Sequence, residues 1–156
     1  MHSRIFQVSE TPIEKSDYIV ESNYWDHWFL NSHADYVAES NREEDIEWLK
    51  ECCYKGLVVD KDDKGEFIIV TNKEDYFKPK FDRFKKALEK ANNISLEDFA
   101  NGNASIWNLK NAFEERYEFY IDYADGYGEL FTLDSFVRNC TIDVKYYIGG
   151  TMDYHY

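Results

Sequence analysis

Apolar residues recur along this chain with two different periods, in short runs divided by polar, glycine-containing breaks. Arg4, Phe6 and Val8 alternate with Ile5, Gln7 and Ser9, the period of a strand. Trp25, Trp28 and Phe29 stand at i, i+3 and i+4, one face of a helix within Ser22 to Leu30. Ser32-His33-Ala34-Asp35 then reads as the cap of a second short helix through Ala38. Asn41 with Glu44 makes a capping-box-like start, Ile46, Leu49 and Cys53 form the stripe behind it, and Gly56 stands where a helix-ending glycine belongs.

Leu57-Val58-Val59 and Phe67-Ile68-Ile69-Val70 flank a polar loop with Gly65, which reads as a hairpin. Asn72 caps a short turn. Pro79 starts the best amphipathic helix, with Phe77, Phe81, Phe84, Leu88 and Ala91 as its stripe. Ser95 with Asp98, Ser105, and Thr132 each open a further short helix. Between the last two, Tyr117, Phe119, Ile121 and Tyr123 alternate. A continued helix would align Glu114, Glu118 and Asp122 at a cost of about 0.2–0.5 kcal/mol per like-charge pair. A strand from about Tyr117 is therefore expected. Asp125-Gly126 and Gly128 supply a turn. Ile142, Val144, Tyr146 and Ile148 form a last strand, and Gly149-Gly150 reads as a turn that brings Thr151 to Tyr156 back along it.

Strands and helices do not alternate regularly enough for a doubly wound fold. The expected class is α+β, with short helices packed on a small, mainly antiparallel sheet as a single pair of layers. The length of 156 residues, two prolines and no serine- or glycine-rich linker suit one globular domain over 1–156. Three cysteines with no spaced pattern are no disulfide framework, and no run approaches the eighteen apolar residues of a membrane span. A reducing, cytoplasmic location follows by elimination, with no membrane association.

Composition changes the picture in two ways. The chain carries 31 acids against 18 Lys and Arg, a formal charge of −13, and 13 tyrosines. Tyrosine suits half-buried positions and interfaces. The net negative charge sits in the outer thirds, because the middle third holds most of the bases, and Lys78, Lys80, Arg83, Lys85, Lys86 and Lys90 outnumber Asp82 and Glu89 on the best amphipathic helix. That face suits an acidic partner or the acidic patch of a second copy. The acidic remainder suits a basic protein partner, and direct binding to nucleic acid is disfavoured by repulsion.

Candidate chemistry is sparse. Asp60-x-Asp62-x-Lys64-Gly65 copies the start of an EF-hand calcium loop but lacks the closing glutamate, Thr71 standing in its place. Tyr123 to Asp134 matches that loop no better, with tyrosines at two ligand positions. No metal site and no cofactor is expected. Cys52 and Cys53 fall near a helix C-terminus, where the dipole opposes thiolate formation. The one place where an acid, a base and aromatics could meet is Asp26-His27 beside Trp25 and Trp28, with Asp153 and His155 as possible additions. A non-enzymatic interaction protein is the expectation, its contact residues drawn from Tyr24, Trp25, Trp28, Tyr127, Tyr146, Tyr154, Lys78, Lys85 and Lys86. The Trp25–Phe29 segment and the last strand could also serve a homodimer. Two alternatives stand beside it. One is a small enzyme built on Asp26 and His27. The other is a nucleic-acid-mimicking inhibitor of a DNA-binding protein, which would need carboxylates along one face to match about 24 phosphates over roughly 40 Å.

Overall fold

In the computed structural model, which describes residues 1–52, 54–112, 118–126 and 129–156, the α+β expectation holds. Seven strands form one sheet: β1 (His2–Ser9), β2 (Tyr36–Glu39), β3 (Leu57–Asp62), β4 (Gly65–Val70), β5 (Tyr120–Tyr123), β6 (Glu129–Thr132) and β7 (Tyr146–His155). Its order is β3-β4-β7-β1-β5-β6, and β2 also pairs with β7. Every pairing is antiparallel except β1 with β5. The helices are α1 (Trp28–Ser32), α2 (Arg42–Glu51), α3 (Lys73–Asn92), α4 (Leu96–Ala100), α5 (Trp107–Asn111) and α6 (Leu133–Asn139).

β7 differs most from the expectation. It does not turn at Gly149-Gly150 but runs on to His155. Phe6 pairs with Thr151 and Val8 with Ile148, so two glycines stand opposite the single residue Gln7. This is a β-bulge, and the extra residue reverses which face the following side chains point to. Tyr146 and Ile148 therefore join Phe6, Val8 and Ile121 in a core under α2, α3 and α6. Met152 and Tyr154 join Ile5, Tyr24, Phe29 and Tyr120 in a second core on the opposite face.

Side chains cannot be added at the bulge. A Cβ on Gly150 would lie 2.9 Å from the Ile19 amide nitrogen, and one on Gly149 would lie 2.4 Å from Gln7 Oε1. Gln7 ties the covering loop to the strand. Its Oε1 accepts from Gly150 N (2.9 Å) and Ile19 N (3.1 Å), and its Nε2 donates to the Asp17 carbonyl (2.9 Å). Along the other edge of β7, β4 reaches Tyr146–Tyr147 and β2 reaches Met152–His155. Arg42 fills the gap, donating to the Ile148 and Gly149 carbonyls at 2.8 and 2.7 Å and pairing with Glu66.

Four further corrections follow from packing. Tyr36–Glu39 is a strand, because the C-terminal half of β7 offers an unpaired edge and Val37 has a core to enter. β6 goes unanticipated, since four residues leave no periodic signal. α3 starts at Lys73, six residues before Pro79: Asn72 accepts from Asp75 N, and buried Tyr76 anchors the first turn. Pro79 thus removes one interior helical bond, and the helix continues through it. α2 ends at Glu51, and Gly56 lies beyond it at φ 71°, in the turn that leads to β3. The expected strand start at Tyr117 and the turn at Gly128 lie outside the described residues; β5 begins at Tyr120.

The bulge yields a direct expectation. Gly150→Ala lowers unfolding free energy by about 1–3 kcal/mol through overpacking against Ile19. Urea unfolding followed by circular dichroism measures this; an unchanged midpoint contradicts the packing.

Candidate functional site

The sequence-derived acid–base residues do not come together. Asp153 and His155 alternate with the core residues of the second face, so they point to the α2 side of the sheet. There Asp153 accepts from His2 Nδ1 (2.8 Å) and pairs with Arg4, whose guanidinium also holds Asp45. Asp45 is buried and accepts further from Ser40 Oγ and from Thr151 Oγ1 (2.6 Å). His155 pairs with Asp35 (3.1 Å) and stacks on Tyr36, with ring centroids 5.4 Å apart. This network fastens α2 to β1 and β7.

His27 lies on the opposite face. It is the N-cap of α1, its Nδ1 accepting from Phe29 N at 3.3 Å. Its neighbours are Tyr24 and Trp28. Tyr24 donates to Asp122 (2.7 Å); burial first, with the Asp122 charge beside it, raises the Tyr24 phenol far above its ordinary range. Asp26 is exposed. Of the expected contact residues, Tyr24, Tyr146 and Tyr154 are core residues and cannot serve as free contacts. Their hydroxyls have internal partners, Asp122, the Thr141 amide and the Glu118 carbonyl, which is how a core accepts tyrosine. Trp25, Trp28, Lys78, Lys85 and Lys86 are exposed, and Tyr127 lies outside the described residues. β7 has strands on both edges, so it offers no free edge to a second copy.

The Asp60–Gly65 segment, which resembles the start of a calcium loop, is the tip of the β3–β4 hairpin. Asp62 accepts from Lys64 N (2.9 Å), Lys145 Nζ (2.5 Å) and Tyr147 OH (3.1 Å), and the Lys145 ammonium leads in holding its carboxyl down to about 2. Asp134, at the end of the other such segment, is buried in α6 and engaged by Tyr76 and Lys80. Among the described residues, no three His, Cys, Asp or Glu side chains are placed to hold a metal ion. No described helix is long and apolar enough to cross a membrane.

Among the described residues, a groove of about 700 Å³ runs along α3. Phe77, Phe81, Phe84 and Ala87 line it, with Asn108, Asn111 and Ala112 from the α5 side and Glu118, Asp134 and Arg138 at its inner end. The Phe stripe that reads as core in the sequence is largely a groove wall: Phe81 is exposed, and Phe77 and Phe84 are only half-buried. Beneath the inner end, Lys80 Nζ meets Glu118 Oε1 (2.6 Å) and Asp134 Oδ1 (2.5 Å). Burial above all raises the Glu118 carboxyl; the Asp134 charge adds to this and Lys80 opposes it. Sequence separation hid this cluster, since Lys80, Glu118 and Asp134 belong to three distant segments.

Beside the groove, large apolar side chains face solvent. Leu96 is 83% exposed, Phe99 73%, Ile106 63% and Trp107 66%. α4 and α5 have five residues each, too short to bury a whole face. Comparison with protein-family models, curated proteins and solved structures gives no match.

Removing one charge of the buried cluster tests its balance. Lys80→Met leaves two carboxylates facing each other and destabilises the fold at pH 7 by about 3–5 kcal/mol. Glu118 binds more protons folded than unfolded between its ordinary 4.5 and its raised value. Its contribution therefore favours folding increasingly as pH falls through that window. The deficit of Lys80→Met accordingly shrinks at pH 5. A deficit that grows on acidification, measured by urea unfolding at both pH values, contradicts the assignment.

Proposed function

We propose that this chain is a non-enzymatic interaction protein that engages a protein partner through the helical arm α3–α5. The observation that carries this reading is the exposure of Phe81, Leu96, Phe99, Ile106 and Trp107 on that arm. Scattered exposed apolar residues are ordinary, but several large ones on one short stretch mark contact surfaces. Aromatic residues of this kind supply much of the energy of protein interfaces.

The titratable groups support the same reading. His2, Asp153, His155, Asp35, Arg4 and Asp45 satisfy one another. Among the described residues, no buried side-chain polar atom lacks a hydrogen-bond partner. Side chains tied up in this way are poorly placed to bind or transform a small substrate. Mimicry of nucleic acid is also weakened, because Asp45, Glu47, Asp62, Glu66, Asp82, Glu118, Asp134 and Asp153 pair with the chain's own cations. The overall charge of −13 would still steer basic proteins towards the molecule at long range.

A photo-crosslinking residue at position 99, compared with one at position 27, tests the proposal in extract of the native source. A discrete protein adduct is expected from position 99, reduced at least tenfold by Leu96→Ser with Trp107→Ser. Adducts from position 27 alone, or none from the arm, contradict it.

A further inference from the structure

We propose that the α3 groove is a docking site for an acidic amphipathic segment of a partner protein. The segment's carboxylates meet Arg83, Lys86 and Lys90, and its apolar side chains meet Phe81 and Phe84. This rests on the interaction reading above and assigns its partner a chemistry.

The first support is the state of the cations. In a chain with 31 acids, Arg4, Arg42, Lys50, Lys78, Lys80 and Lys145 each hold a carboxylate. Arg83, Lys86 and Lys90 line the groove, are exposed, and have no carboxylate within ion-pair distance among the described residues. Among the described residues, three cations without a carboxylate partner thus lie on one side of one groove in a protein of net charge −13, a local charge opposite in sign to the whole.

Helical geometry sorts the lining into two flanks. At 100° per residue, Phe77, Phe81 and Phe84 fall to one side of buried Ala87, and Arg83, Lys86 and Lys90 fall to the other. Each set spans seven residue steps, or about 10 Å. An amphipathic helix laid along the groove presents an apolar and a charged stripe at the same pitch. The groove also has a direction. At the inner end Lys80 and Arg138 stand beside Glu118 and Asp134, so the charges there balance, while Arg83, Lys86 and Lys90 leave the outer end positive. Nucleic acid is a poorer candidate, because its phosphates run on far beyond the groove and meet the acidic remainder of the chain, whereas a short segment meets only the groove.

The test is fluorescence anisotropy with the full chain and a fluorescein-labelled 16-residue synthetic peptide, with Leu at helical i, i+4 and i+7 spacing and Glu between. A scrambled isomer and an oligothymidylate serve as comparators. The amphipathic peptide is expected to bind, more weakly as salt rises. The triple reversal Arg83→Glu, Lys86→Glu, Lys90→Glu should weaken it at least thirtyfold, and Phe84→Ser about tenfold, with circular dichroism unchanged. Reversing Lys61 and Lys64 on the distant hairpin, Lys61→Glu with Lys64→Glu, should change affinity less than twofold. Equal losses in the two charge reversals, oligothymidylate binding as tight as the peptide's, or no peptide binding overturns the proposal. A position-99 adduct formed in that last case would leave the interaction reading standing; its absence would remove both.

Discussion

Two glycines opposite one glutamine set the arrangement of this molecule. Without the bulge, the ten residues of β7 would present Tyr146, Ile148, Met152 and Tyr154 to one face of the sheet. With it, the first two enter the core beneath α2, α3 and α6, and the last two enter the core beneath α1. One strand therefore supplies both hydrophobic faces. The same glycines let the Ile13–Ile19 loop press onto the sheet, and Gln7 and Arg42 satisfy the backbone groups that the irregular pairing exposes. Backbone polar groups left unpaired at such a depth would each cost free energy comparable to a lost hydrogen bond.

Buried charge fixes the helices to this frame. Asp45 joins α2 to β1 and β7 through Arg4 and Thr151, and Asp134 joins α6 to α3 through Tyr76 and Lys80. Such pairs add little net stability over apolar packing, but losing one partner is costly, so they specify which helix sits where. α3 is held at Tyr76 and Lys80 in its first two turns, while its later turns carry most of the groove lining. The apolar side chains of α4 and α5 consequently stay in solvent, and that division between anchored base and exposed arm underlies the functional proposal.

Local signals were legible in the sequence. The side chains of Asn41, Ser95 and Thr132 each accept from a backbone amide at the helix starts expected of them, because a cap involves only neighbouring residues. The β3–β4 hairpin was legible for the same reason. What depended on distant partners was not. Tyr36–Glu39 becomes a strand only because β7 leaves an edge for it, and Gly149-Gly150 is a bulge only because Gln7 and the Ile13–Ile19 loop lie against it. The basic character of α3 could be read in its sequence, but not the groove. The Phe stripe has the spacing of a core, and only the position of α5 and Glu118 turns it into a wall. Likewise, the tyrosine surplus suggested a binding face, whereas Tyr24, Tyr146 and Tyr154 are core residues with internal hydrogen-bond partners.

Cross-strand nuclear Overhauser effects measure the register of β7 directly. The bulged strand predicts contacts between Phe6 and Thr151 and between Val8 and Ile148, with β2 contacts from Val37 to Tyr154. Contacts between the Thr151–Tyr156 segment and Tyr146–Ile148, the signature of a turn at the two glycines, would contradict the two-faced core and with it the account of why the α3–α5 arm is left exposed.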